Sequence, residues 1–311
     1  MSASASPLTA SVVICAFSDK RRHDTVACVE SVLAQTLEPG QVIVVVDHND
    51  ELRRWLREQL PDSVLVIAND HAPGLSGARN TGIAASTEPI IAFIDDDAIA
   101  DPGWLAALCD PLSRHGLVAT GGRAVPAWST RQPDWLPDEF LWVVGCSYEG
   151  QPRNGPVRNV LGCTMAFRAE LFQTLGGFQT DLGRRNGHPL GCEETELCIR
   201  VHRHRPEWRI ELVEQALIHH RVDPERESLG YFLARCYYEG VSKGALRKVS
   251  GNDATAVERD YVRSVLPRAV RRELRNGAKG APKRALGRIA AIHAGTFLTI
   301  LGYARELLTL W

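Results

Sequence analysis

Residues 42–46 read Val-Ile-Val-Val-Val, five β-branched apolar side chains with no polar residue between them. β-Branched residues favour extended backbone, and a strand without polar alternation has to be buried on both faces. Such a strand needs helices above and below it, joined by crossover connections. The flanking sequence supplies them. Short apolar runs at 11–16, 41–47, 64–67 and 90–95 alternate with helical patterns at 23–35, 51–60 and 77–85. Asp101-Pro102 then offers a capping carboxylate and a first-turn proline before a helix over 104–112. These 110 residues predict an α/β fold with a mostly parallel sheet flanked by helices. From 121 to 191 the pattern is irregular and rich in Gly, Pro, Trp and Arg, with a strand-like piece near 160–167. A strand-like run at 210–218 and helical patterns at 193–204 and 229–248 follow.

At 311 residues the chain is long enough for one large domain or two modest ones. Its 44% apolar and 23% charged residues exclude a disordered or fibrous chain. The net charge of -1 argues against nucleic-acid binding but conceals an uneven distribution. Residues 261–288 hold nine basic residues and one acid, Glu273, so an acidic body of -9 carries a basic segment of +8. None of the eight cysteines forms a C-x-x-C pair, and they read as free thiols in a reducing compartment. The first nine residues show no basic region followed by an apolar run, so no signal peptide is expected. Residues 289–311 are rich in Leu, Ile and Ala, but His293, Arg305 and Glu306 make them poor for a spanning helix. A cytoplasmic location is expected.

In an open parallel sheet, ligands bind beyond the carboxyl ends of the strands. There the first strand runs out into Ala16-Phe17-Ser18, the second ends at Asp47 and the fourth at Asp95-Asp96-Asp97. Strand alternation puts Asp95 and Asp97 on one face and Asp96 on the other. Two hard oxygen donors on one face suit Mg2+ or Mn2+ held with a diphosphate, while the same run also fits a solvated acidic turn or helix cap. Residues 74–82, Gly-Leu-Ser-Gly-Ala-Arg-Asn-Thr-Gly, open the helix before that strand, and Arg79 near its N-terminus is placed to meet a phosphate or a base edge. The segment matches neither the dinucleotide nor the P-loop pattern.

Taken in order, residues 12–17, Val44-Val45-Val46-Asp47, Gly74-x-x-x-Ala78-Arg79-Asn80-x-Gly82, Phe93-Ile94-Asp95-Asp96-Asp97, Leu175-Gly176-Gly177-Phe178 and residues 191–200 resemble family 2 glycosyltransferases over about residues 10–250. The resemblance implies a Rossmann-like GT-A fold and an inverting, nucleotide-diphospho-sugar-dependent transferase. It implies that Ala16, Phe17, Asp47, Arg79, Asp95 and Asp96 contact the donor. Asp47 would meet the uracil or other base edge, and Asp95 and Asp97 would be the D-x-D acids, with Asp97 the direct ligand of a Mn2+ or Mg2+ cofactor. His219 and His220, at a strand end before Arg221 and Arg226, are candidates for the metal or the diphosphate. Glu194 would be the general base. This chain has Glu193-Glu194 where the family often has Glu-Asp, so either Glu193 or Glu194 can fill that role; the run also fits an acidic first helical turn.

The organisation expected is a disordered tail over 1–9, a transferase domain over 10–250 divided near residue 110 into a nucleotide-binding and an acceptor half, and a helical extension over 251–311. The donor expected is a UDP-sugar. The acceptor expected is a glycan or lipid-linked hydroxyl of the cell envelope. Other readings are a nucleotidyltransferase that activates a sugar phosphate and an inactive nucleotide-sugar-binding module. Trp128, Trp135, Trp142 and Tyr148 suit either stacking on a sugar or ordinary core packing. The basic, amphiphilic extension suits an anionic membrane surface on the inner face of the cell membrane, or a helical hairpin packed on the protein.

Overall fold

The computed structural model describes residues 9–181, 190–251 and 256–309. Of the tail expected over 1–9 only Thr9 is among them; the 182–189 part of the irregular middle and the chain end at 310–311 also lie outside the described residues. The chain divides into two compact units. One comprises Met1–Ala124, Pro152–Thr180 and Leu197–His220, the other Val125–Gln151, Asp181–Glu196 and Arg221–Trp311.

In the first unit, β1 (Ala10–Ala16), α1 (Arg22–Leu33), β2 (Gln41–Val46), α2 (Asp50–Gln59), β3 (Val64–Ala68), α3 (Leu75–Ala85) and β4 (Ile90–Asp95) alternate as the apolar runs require. β1 pairs in parallel with β2 and β4, and β2 with β3. Because side chains alternate, these strands feed two cores. Val12, Ile14, Val44 and Ile94 pack with Cys28 and Val32 of α1 and Leu52 and Leu56 of α2. Val13, Val45, Ile91 and Phe93 pack with Ala78 of α3 and with Phe167 and Phe178 on the other face. Fully burying one such side chain contributes about 1.5–3 kcal/mol, so the uninterrupted Val/Ile runs largely secure the sheet.

Beyond β4 come β5 (Ala98–Ala100), α4 (Trp104–Cys109), β6 (Leu117–Trp128), β7 (Gly155–Pro156), β8 (Thr164–Arg168), α5 (Ala169–Leu175), α6 (Glu193–His204) and β9 (Arg209–Val222). The sheet runs β3-β2-β1-β4-β8-β6-β9-β5, with β7 against β9. β8 is antiparallel to β4 and β6, and β5 and β7 are antiparallel to β9. The sheet is therefore mixed, parallel up to β4 and antiparallel after it. The sequence pattern does not announce β6, which lies where irregular chain is expected. Its Gly121-Gly122 pair breaks the apolar alternation, and the missing Cβ atoms are what let Val160, Thr164 and Ala216 close in. The expected cap of α4 is also displaced. Gly103 takes that position, only the Asp101 main-chain carbonyl meets the Trp104 N–H, and the Asp101 carboxylate pairs with His219.

In the second unit, α7 (Leu229–Ser250), α9 (Leu266–Ala278) and α10 (Pro282–Leu308) surround a core that includes Leu136, Phe140, Phe232, Cys236 and Ile292, and α8 (Ala256–Asp260) joins α7 to the turn before α9. Trp128, Trp135 and Trp142 pack against this core. α7 and α10 approach closely at glycines: a Cβ on Gly240 would strike the Thr299 carbonyl, and one on Gly302 the Tyr237 carbonyl. Buried Glu139 and Glu273 are paired with Arg272 at 2.9 and 3.0 Å, and Arg288 lies 3.6 Å from Glu273. Two of the nine basic residues of the 261–288 stretch thus face inward. His293, Arg305 and Glu306 do not interrupt α10, and among the described residues it is the helix long and apolar enough to cross a membrane by length and composition.

Candidate active site

β4 ends at Asp95, and the chain turns through Asp96 and Asp97 into β5. The β5–β9 register sets Ala98 opposite His220, which carries the imidazole to the acids. Its Nε2 lies 3.3 Å from Asp97 Oδ1 and 3.7 Å from Asp95 Oδ2. One ligand atom from each of Asp95, Asp97 and His220 lies within 4.8 Å of the others. His219, one residue earlier, points the opposite way, is exposed, and pairs with Asp101 at 3.0 Å. The structure brings together Asp95, Asp97 and His220 and leaves His219 apart. Two carboxylates and an imidazole nitrogen at this spacing fit a divalent cation such as Mn2+ or Mg2+.

Arg21, just after β1, reaches the same acids: its Nη1 lies 2.8 Å from Asp97 Oδ2 and 3.3 Å from Asp96 Oδ1. Burial, and then the adjacent Asp97 charge, push the Asp96 carboxyl up to about 7 against the pull of Arg21. Sequence reasoning passes over Arg21; its signal is a basic run, Lys20-Arg21-Arg22, just beyond the carboxyl end of the first strand.

Asp47 follows β2. Its Oδ1 accepts from Asn69 Nδ2 at 2.6 Å and its Oδ2 from the Gly74 N–H at 2.9 Å. It therefore holds the loop ahead of α3 in place. Gly74 has φ 144°, a backbone that side-chain-bearing residues rarely adopt, which explains the glycine there. Ala16 is buried, Phe17 is exposed, and the Ala16 carbonyl accepts from the Asp47 N–H. Arg79 is almost fully buried. Its guanidinium donates to the Gly162 carbonyl at 2.9 Å, lies 3.8 Å from Asp95, and sits 5.4 Å from the Phe178 ring centre. The other motif residues are clamps. Asn80 donates to the Phe178 carbonyl and accepts from its N–H, at 2.9 and 2.8 Å. Arg200 donates to the carbonyls of Leu175 and Gly177, at 2.6 and 2.9 Å. A Cβ on Gly177 would collide with the Asn80 side chain. The Leu-Gly-Gly-Phe element is thus a support beneath Arg79. Burial pushes the Cys15 thiol up to about 12, which rules out a thiolate at neutral pH.

The second unit carries the Glu pair. Cys192 turns the chain with φ 78°, the Gly191 N–H donates to Ser242 Oγ at 3.1 Å, and Glu193 and Glu194 open α6. Glu193 is 5% exposed, whereas Glu194 is more open and accepts from Thr195 Oγ1 at 3.0 Å.

With this geometry in view, the profile of glycosyl transferase family 2 matches residues 11–176. The chain belongs to that family. It is a glycosyltransferase, which removes the nucleotidyltransferase and inactive-module readings. It is 32% identical over 306 residues to the glucosyl-dolichyl phosphate glucuronosyltransferase of Haloferax volcanii, covering 96% of both chains. The mannosyltransferase PcManGT of Pyrobaculum calidifontis, solved with GDP-Man and Mn2+, superposes with a TM-score of 0.62 at 18% identity, over 97% of this chain and 88% of that one. GalNAc-T7, solved with UDP, GalNAc and Mn2+, superposes with a TM-score of 0.56 at 16% identity, over 83% of this chain and 58% of that one. These likenesses show the GT-A fold.

Proposed function

We propose that the enzyme transfers a sugar from a nucleotide-diphosphate donor to a hydroxyl of a lipid-linked acceptor of the cell envelope, with inversion at the anomeric carbon. The observation that carries this reading is the meeting of Asp95, Asp97 and His220 beyond the carboxyl end of β4, beside the fixed guanidinium of Arg79. Similarity over nearly the whole chain to a protein named for glucosyl-dolichyl phosphate and glucuronosyl transfer supports a lipid-linked acceptor, and makes UDP-glucuronic acid the first donor to test.

Asp95, Asp97 and His220 would hold the divalent cation, which when bound supplies positive charge against a departing diphosphate. Arg79, immobilised by Gly162 and Phe178, adds a second positive charge that needs no reorganisation during the reaction. Asp47 fixes the loop through Gly74 and so shapes the base side of the donor site. Glu194 takes the proton of the acceptor hydroxyl as that oxygen attacks the anomeric carbon opposite the leaving diphosphate. The more enclosed Glu193 supports the first turn of α6.

A donor panel of UDP-, GDP- and dTDP-sugars, with a polyprenyl-phosphate glycoside as acceptor, tests the reading. Acceptor-dependent release of UDP, and a product whose anomeric configuration is inverted by NMR, are expected. Release of inorganic diphosphate, or retained configuration, would overturn it.

A further inference from the structure

α10 is apolar on two opposite sides. One side carries Ala285, Ala291, Ile292, Gly295 and Gly302 into the protein, together with Arg288, which is paired with Glu273. On the other, Leu286, Ala290, Phe297, Ile300, Leu301 and Leu308 follow one another at helical spacing in a single exposed stripe about 33 Å long, broken only by His293. Leu286, Phe297 and Leu308 are 69%, 65% and 82% exposed. A helix on the surface of a water-soluble protein turns polar residues outward; this one turns out leucine and phenylalanine.

The exposed charges that residues 261–288 set beside the stripe are all basic, and Glu306 of α10 is paired with Lys248. Lys283 lies one turn before Leu286 on the same side and is followed by Arg284, with Lys279 exposed at the end of α9. On α9 the exposed positions Arg268, Arg271 and Arg275 flank Leu274, itself 60% exposed. The single acid of this stretch, Glu273, is buried and already paired with Arg272 and Arg288. Symmetric pairing with a second copy would set these cations against one another with no exposed carboxylate of the 261–288 stretch to meet them. An anionic lipid surface complements both the apolar stripe and its cations.

We infer that α9 and α10 form a docking surface for an anionic bilayer, with α10 lying in the plane of the interface rather than crossing it. Its inner side is committed elsewhere. Gly240 and Gly302 bring the α7 and α10 backbones into contact, Lys248 pairs with Glu306 at 2.8 Å, and Arg247 donates to Tyr303 Oη at 2.6 Å. Spanning would carry the charged side of α7 into hydrocarbon. The inference is independent of the chemistry assigned to Glu194 and the acids.

Flotation of the full chain with vesicles tests it, comparing phosphatidylcholine mixed with phosphatidylglycerol against phosphatidylcholine alone. Partitioning should be roughly tenfold or more stronger on the anionic vesicles, fall with added salt, and reverse in alkaline carbonate. The double variants F297S/L301S and K283E/R284E, changed only at exposed positions, should each bind roughly tenfold more weakly while melting like the parent. Equal binding to both vesicle types overturns the inference, as does retention in carbonate, which marks a spanning helix. Absence of binding together with a concentration-dependent dimer in light scattering overturns it in favour of a second copy.

Discussion

Asp97 sits nearly buried with the Arg21 guanidinium at 2.8 Å and the His220 imidazole at 3.3 Å, and its charge is meaningful only among cations. D97N keeps the shape and removes the charge. Turnover should fall on the order of 100-fold or more, and Mn2+, which should raise the melting temperature of the parent, should no longer do so. A chelator should bring the parent to the same level, with recovery on adding Mn2+; a D97N protein that still responds to Mn2+ would remove Asp97 from the ligand set. The Glu pair separates by exposure. E194Q should lower kcat by roughly 100- to 10,000-fold with little change in donor KM, whereas E193Q should act first on stability. The opposite pattern would move the base role to Glu193.

Among elements, the contact between α3 and the segment after α5 supports Arg79. Asn80 satisfies both backbone groups of Phe178, and Phe178 backs Arg79. N80A should cost about 2 kcal/mol in urea unfolding and also lower kcat, because two backbone groups lose their partners and the ring under Arg79 is loosened. Unchanged stability and rate would mean the segment is held by Arg200 alone. Between α7 and α10 the limit is steric. G302L places a side chain against the Tyr237 carbonyl and should cost about 1–3 kcal/mol or more, read as a lower melting temperature.

For the whole molecule, stability in acid depends on ion pairs inside the helical unit. Glu239 is largely enclosed, which by itself raises a carboxyl pKa, yet Lys243 at 3.4 Å and Arg235 at 2.9 Å outweigh that and hold it below the usual 4.5. A folded-state pKa below the unfolded one stabilises the fold above that value and loses the stabilisation as pH falls through the lowered one. The parent should lose melting temperature as the pH drops below 4.5. E239Q should start lower at neutral pH and lose less. Equal slopes would show that other carboxylates govern acid unfolding.

Strand–helix alternation and the ordered motifs were legible from residues alone, because period and chemistry are local properties of a chain; Asp96 and Asp97 lie in the turn after β4 rather than in the strand, so the meeting of Asp97 with Asp95 was set by that turn and not by strand alternation. Residues 42–46 could be little other than a doubly buried strand, and the family followed from Asp47, the 74–82 turn, the acids and the Leu-Gly-Gly-Phe element in order. Other features depended on partners distant in sequence. β6 was hidden because its glycines mark close approaches by Val160 and Ala216 rather than a pattern of their own. Which histidine joins the acids was set by the β5–β9 register, and a shift of one residue would have exchanged His219 for His220. The net charge of the 261–288 stretch could be counted in the sequence. Which of its cations turn inward to Glu139 and Glu273, and which stand beside the exposed stripe of α10, was decided by helix packing, since burial is a property of neighbours and not of composition.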